Sequence, residues 1–368
     1  MIPISEPSLT DRERQYLLEA FDSGWISSRG EFVERAEALL RNATSARYAA
    51  VVSNGTVALH LALLAAGVEA GDEVVMPSLS YVATMNAALY IGARPVLVDV
   101  DPDTWCVDPH AVAAAITDRT RAVIAVDLYG NPADYAALRN VTASRGIVLI
   151  ADAAESIGGA MNGVPTGALA DISIFSFFGN KIVTSGEGGA VTTDDPEIDA
   201  RIRQLRNQGN SVERRYFHDV LGFNYRMTNL AAAILCAQLE RLEELTTHRR
   251  EVLDWYESRL KGVAGVRLQS VAADVVRSPW LMTVCVDDWS GAQRDQAISL
   301  LAEEGVETRP SFVPMQDMPY VKTPERISTP ISAKIGREGI SLPTFPGLTK
   351  EQVDHICERL LAAVRGLD

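Results

Sequence analysis

Between residue 48 and about residue 200 the chain repeats one pattern, a short run of β-branched apolar residues followed by an alanine- and leucine-rich stretch. The runs are Tyr48 to Val52, Glu73 to Met76, Pro95 to Asp99, Ala122 to Val126, Ile147 to Ala151, Ile172 to Phe175 and Ala190 to Thr193. Apolar runs without polar alternation suit strands buried on both faces, and helical crossovers between them suit parallel pairing. The pattern predicts an α/β fold with a mainly parallel seven-stranded sheet, covered by helices, in a large domain. In open sheets of this kind ligands gather at the carboxyl ends of the strands. The residues that follow each run are therefore the first candidates for function.

Outside this region the periodicity changes. Tyr16, Leu17, Ala20 and Phe21 recur at helical spacing from Asp11 to Phe21, and Gly24 to Gly30 reads as a loop. A long helix is expected from about Asn229 to Leu260, broken near Thr246. Residues 262–368 suggest a smaller α+β unit, with strands near Trp280 to Val286 and Val306 to Arg309 and a closing helix from Lys350. The expected division is an N-terminal arm and large domain over 1–240, then a bridging helix and small C-terminal domain over 241–368.

Charge and composition narrow the classes of function. A net charge of −14 argues against binding the phosphate backbone of nucleic acids, though not against a small anion held by local groups. No run of about 18 apolar residues occurs, and the start lacks a basic patch followed by an apolar stretch. The expectation is a cytoplasmic protein without membrane attachment. The four cysteines and five histidines are scattered, which favours reduced, mostly buried thiols over a metal site. Lysine is scarce: of 34 basic residues only Lys181, Lys261, Lys322, Lys334 and Lys350 are lysine.

Several segments carry chemistry. Ser53-Asn54-Gly55-Thr56 lies between a strand and a helix, where small residues let backbone N–H groups approach a phosphate and Thr56 adds a hydroxyl; it is equally an ordinary turn and N-cap. Asp152-Ala153-Ala154-Glu155 ends an apolar run, so Asp152 is placed to pair with a protonated ring nitrogen such as that of a pyridoxal cofactor, or simply to cap a helix. In the segment from Ile172 to Lys181, a strand ends near Ser176, a potential phosphate donor, and a lone lysine follows before Ser185-Gly186-Glu187-Gly188-Gly189. A lysine in such apolar and glycine-rich surroundings is suited to nucleophilic use, because desolvation lowers its pKa; the bland alternative is a snorkelling surface lysine. Tyr81 follows a strand and could stack on an aromatic ring, or belong to the core. Gly222 to Met227 offers an amide, a phenol and a guanidinium, suited to phosphate binding or to helix capping with a surface ion pair.

Taken in order, Gly24-Trp25-Ile26-Ser27-Ser28, the Ser53-to-Thr56 turn, Asp152-to-Glu155, Ser176-to-Lys181 with Gly186-Glu187-Gly188-Gly189, and Asn224-to-Asn229 resemble the DegT family of sugar aminotransferases, which are fold type I pyridoxal-phosphate enzymes. The resemblance runs over nearly the whole chain. It implies pyridoxal 5'-phosphate as cofactor, passing through pyridoxamine phosphate, with Lys181 as its Schiff-base partner and proton carrier. It also implies that Gly55, Thr56 and Ser176 hold the cofactor phosphate, Tyr81 lies over the ring, Asp152 pairs with the ring nitrogen and Glu155 sits near the ring hydroxyl. Asn224 would reach the phosphate in a neighbouring subunit's site, which implies a homodimer with shared active sites. Trp25, Ser27, Arg226 and Arg309 are the candidate substrate contacts.

Within that family, Phe177 to Lys181 and Glu307-Thr308-Arg309-Pro310 look most like members that aminate GDP-4-keto-6-deoxymannose at C4 with L-glutamate. Related dehydratases carry histidine at the position of Lys181, so the lysine favours amine transfer. Gln316 and Asp127 stand where many relatives have histidine, departures expected to bear on substrate choice. Other readings are a 3-keto sugar nucleotide of the mycosamine type, a dTDP- or UDP-linked keto-sugar, a sugar dehydratase using the same cofactor, or a non-catalytic regulator of the same fold.

Overall fold

The computed structural model describes residues 1–321 and 328–367. The central sheet contains Tyr48–Val52, Glu73–Pro77, Arg94–Val98, Thr120–Val126, Val148–Asp152, Ile172–Ser176 and Gly189–Thr193. Across the sheet, Tyr48–Val52 is followed by Gly189–Thr193, Ile172–Ser176, Val148–Asp152, Thr120–Val126, Glu73–Pro77 and Arg94–Val98. Gly189–Thr193 pairs antiparallel with both of its neighbours; the remaining pairings are parallel. The seven apolar runs of the sequence are thus the seven strands, with ends shifted by one or two residues. Val51, Val75, Val123, Leu149 and Ile174 are fully buried along them. Each such side chain contributes about 1.5–3 kcal/mol by leaving water.

The connecting helices start on side-chain caps. Asn54 accepts a hydrogen bond from the backbone N–H of Val57 and opens the helix Gly55–Ala65; Thr228 accepts from Ala231 and opens Asn229–Glu240. The sequence places a helix break near Thr246, but it falls at Arg241, between Asn229–Glu240 and Leu242–Leu260. The cause is tertiary. The Arg241 guanidinium donates to the Ser8 carbonyl and to the carboxylates of Glu13 and Glu244, whereas Thr246 stays helical with its hydroxyl donating back to the Leu242 carbonyl.

A second, antiparallel sheet is ordered Val266–Leu268, Met282–Val286, Gly339–Leu342, Arg309–Pro310. Val284, Ile340, Ile356 and Leu360 form part of its own apolar cluster, roofed by the closing helix Lys350–Leu367. Two expected strands there are shorter than the sequence suggests. Val306 bridges Ile2 instead of extending the Arg309–Pro310 strand, and Trp280 precedes its strand, with its indole N–H engaged by the Asn180 carbonyl. All four cysteines are free and buried, as expected, and no helix among the described residues is long and apolar enough to cross a membrane.

Candidate active site

Strand register places three functional segments side by side. Gly189 lies opposite Val52 on one side and Ser176 on the other, and Asp152 ends the strand beside Ile172–Ser176. The turn Asn54-Gly55, Ser176 and Asp152 therefore share one edge of the sheet. The approach is tight enough to demand glycine. A Cβ on Gly189 would lie 2.5 Å from the Asn54 carbonyl carbon, and one on Gly55 would lie 2.9 Å from the Ser176 Cβ.

A cavity of about 490 Å³ opens above this edge, and Gly55, Thr56, Tyr81, Asp152, Glu155, Ser176, Lys181 and Arg309 all line it. At one end the helix Gly55–Ala65 presents its N-terminus, where backbone N–H groups lack intrahelical partners and the helix dipole favours an anion. The hydroxyls of Thr56 and Ser176 stand beside it. Asp152, at the end of the neighbouring strand, is buried, with Thr84 Oγ1 donating to Oδ2 at 2.6 Å and the Ala154 N–H donating to Oδ1 at 3.3 Å. Burial pushes its carboxyl above the usual range, against the pull of the Thr84 and Ala154 hydrogen bonds and the Lys181 charge.

Lys181 follows the Ile172–Ser176 strand on a loop that closes on itself: the Phe177 N–H donates to the Gly188 carbonyl and the Ser185 N–H to the Phe177 carbonyl. Its amine lies 3.8 Å from Glu155 Oε1, while Glu155 Oε2 accepts the Tyr129 N–H at 2.7 Å. Burial drives both members of this pair toward neutrality, lowering the lysine and raising the glutamate, although each charge opposes the other's shift. A neutral amine is the form that attacks a carbonyl.

This donor set fits pyridoxal phosphate. The cavity lining combines backbone and hydroxyl donors suited to an anion, a buried carboxyl suited to a protonated ring nitrogen, and a desolvated lysine. Tyr81 is 59% exposed and stands at the mouth, tilted against Phe312 at 6.1 Å between ring centroids. Trp25, Ser27, Asn224 and Arg226 are not among the residues lining the cavity of their own chain. Asn229 ties the first two together, donating from Nδ2 to the Trp25 carbonyl and from its backbone N–H to the Ser27 carbonyl. Asn224 Oδ1 accepts from Arg226 Nη2 at 2.8 Å.

Asp127 and Gln316, expected to bear on substrate choice, are not among the residues that line this cavity. Asp127 is fully buried beneath it, accepting from Ser156 Oγ at 2.6 Å, Tyr135 OH at 2.7 Å and the Ala133 N–H at 3.1 Å. Gln316 is bound to Ser78 Oγ and Thr329 Oγ1. Conversely, sequence reading passed over Tyr129, Trp280 and Phe312, which line the cavity as three nearly parallel rings. Trp280 and Phe312 lie far along the chain from Lys181, and no local motif marks them. Tyr129 carries one local signal, the following Gly130, but not its own backbone φ of +53°.

Residues 7–361 match the model of the DegT/DnrJ/EryC1/StrS aminotransferase family. The chain is 42% identical over 98% of its length to a protein of Escherichia coli O157:H7 described as GDP-perosamine synthase, of which the match covers 97%. It is also 42% identical over 98% of its length to a GDP-perosamine synthase of Caulobacter vibrioides, again over 97% of that protein. A sugar aminotransferase from Streptococcus pneumoniae, solved in its PMP form, superposes with a TM-score of 0.94 at 27% identity, covering 100% of this chain and 98% of that one.

Proposed function

The chain belongs to the DegT/DnrJ/EryC1/StrS aminotransferase family and is a pyridoxal-phosphate-dependent sugar-nucleotide aminotransferase, and from that premise we propose that it moves the amino group of L-glutamate to C4 of GDP-4-keto-6-deoxymannose, forming GDP-perosamine. The observation that carries the choice of sugar is the 42% identity, over nearly the full length, to relatives described as GDP-perosamine synthases. A panel of GDP-, dTDP- and UDP-linked keto-sugars, each incubated with glutamate and read by mass spectrometry, tests it. The GDP-linked 4-keto sugar is expected to gain an amine with equal release of 2-oxoglutarate. Preferential amination of a 3-keto sugar, or of a dTDP- or UDP-linked one, would replace this substrate. Deoxygenation without loss of the amino donor would replace the reaction.

On this reading Gly55, Thr56 and Ser176 bind the cofactor phosphate, Tyr81 covers the ring, Asp152 keeps the ring nitrogen protonated and Glu155 sits near the ring hydroxyl. Bound pyridoxal phosphate supplies an electron sink that makes the proton on the amine-bearing carbon of the donor removable. Lys181 is the group that would take that proton and deliver it to the cofactor's aldehyde carbon, on the far side of the amine nitrogen. In the second half-reaction it carries a proton the other way, onto C4 of the sugar. Arg309, 51% exposed at the cavity wall and paired with Glu307 at 3.1 Å, is the candidate anchor for an acidic group of donor or sugar nucleotide. We place the enzyme in the cytoplasm, where glutamate and nucleotide sugars are available.

The family resemblance is what supports a homodimer in which Asn224, which does not line its own chain's cavity, reaches the phosphate in the partner's site. Mixing Lys181→Ala with Asn224→Ala subunits tests this. The Lys181→Ala parent is expected to be inactive and the Asn224→Ala parent impaired, yet a hybrid dimer contains one doubly defective and one intact site, so activity is expected to reappear after subunit exchange. Verified hybrids no more active than the parents' average, with Asn224→Ala itself impaired, would put both residues in one chain's site.

A further inference from the structure

Lys181 has two neighbours of different character. Its amine lies 3.8 Å from Glu155 Oε1 and 3.8 Å from the centroid of the Trp280 ring. The carboxyl can take the lysine's proton; the indole face attracts a cation through its quadrupole but cannot accept a proton.

Trp280 is also unusually well fixed. Its Nε1–H donates to the carbonyl of Asn180, the residue before Lys181, at 3.0 Å. Its own carbonyl accepts from Arg249 Nη1 at 3.1 Å, and that guanidinium is buried and also donates to the Thr344 carbonyl. Tyr129 and Phe312 hold the ring plane, within 17° and 18° of parallel. The ring therefore does not follow the lysine when the lysine moves. A side chain that rises and falls during each turnover rests against a surface anchored to its own backbone.

We propose that Trp280 is a positioning residue, seating the ammonium of Lys181 on its indole face between proton transfers and keeping that proton on the lysine instead of passing it to Glu155. The proposal rests on Lys181 being the cofactor's covalent partner. The charged groups that act on the amine are Glu155, at 3.8 Å, and Asp152; Glu187, Arg309, Tyr81 and Tyr129 are the other titratable side chains lining the same cavity. Losing the ring leaves these carboxyls in place and removes one source of attraction for the ammonium.

The scarcity of lysine makes the test direct, since with five lysines in the chain the Lys181 signal can be assigned by its loss in Lys181→Ala. The protein is labelled with ε-13C lysine and loaded with pyridoxamine phosphate, a form in which no bond ties the cofactor to Lys181, and the amine is titrated by NMR. In Trp280→Leu the Lys181 titration is expected to fall by about one pH unit, and in Trp280→Phe, which keeps a weaker aromatic face, by about half a unit. The acid limb of the pH profile of amine transfer should move down by the same amounts, because turnover needs the neutral amine. A Lys181 titration unchanged or raised in both variants would overturn the proposal, a rise meaning that Trp280 acts only by excluding water. If the leucine variant does not fold, the phenylalanine variant alone decides. Borohydride fixation of pyridoxal phosphate in the wild-type protein, followed by peptide mass mapping, keeps the two ideas apart. Cofactor found on another lysine sinks the role of Lys181, whereas cofactor on Lys181 with an unmoved titration sinks only that of Trp280.

Discussion

Lys181→Ala is expected to abolish amine transfer, lowering 2-oxoglutarate release by more than about a thousand-fold, and to leave a folded protein. The size follows from losing two functions at once, the covalent hold on the cofactor and the group that carries the proton, the second worth about a hundred- to ten-thousand-fold alone. Folding should survive because the lysine's contacts are those of its amine, beside Glu155 and over the Trp280 ring, and the Glu155 left behind keeps the Tyr129 N–H and is already driven toward its neutral form by burial. Thermal melting within a few degrees of wild type, together with absent borohydride fixation, is the expected pair of readings. A variant that still turns over glutamate would remove Lys181 from the chemistry.

Asp152→Asn should slow amine transfer by on the order of a hundred- to a thousand-fold while cofactor still binds. The carboxylate is shaped for one task. Thr84 and the Ala154 backbone already donate to it, it is buried, and among the described residues no basic side chain forms an ion pair with it. An amide of the same shape can keep one of these hydrogen bonds but cannot hold a positive charge on a ring nitrogen. Steady-state rates with saturating glutamate, compared with cofactor content from absorbance, separate the two effects. Wild-type turnover would mean that another group serves that nitrogen.

Much of the architecture is legible in the sequence because strands buried on both faces must be apolar throughout, and because the site sits where those runs end. Asp152, Ser176 and the Asn54 turn are each within a few residues of a strand terminus, so reading the strands is nearly reading the site. The cavity's other wall is not local. Trp280 reaches Lys181, and Phe312 lies beside Trp280, from segments next to the strands of the second sheet, and nothing at their own positions distinguishes them from core aromatics. The surroundings of Asp127 and Gln316 are hidden in the sequence for a related reason. Their neighbours in sequence lie near the site, but their side chains are spent on Ser156, Tyr135, Ser78 and Thr329. The helix break at Arg241 was invisible because it is imposed by Ser8 and Glu13, more than two hundred residues earlier.

The separation between Lys181 and the rings beside it sets a timetable. Ribosomes deliver a chain from its N-terminus, so the central sheet, the phosphate cradle and the lysine emerge while Trp280 and Phe312 are still to be translated. Until they arrive, the lysine's indole support and one aromatic wall of the cavity are absent, and the amine faces open water. The complete pocket is therefore a late product of synthesis, and a nascent chain stalled before Phe312 has Lys181 without the full set of rings that line the cavity in the finished fold.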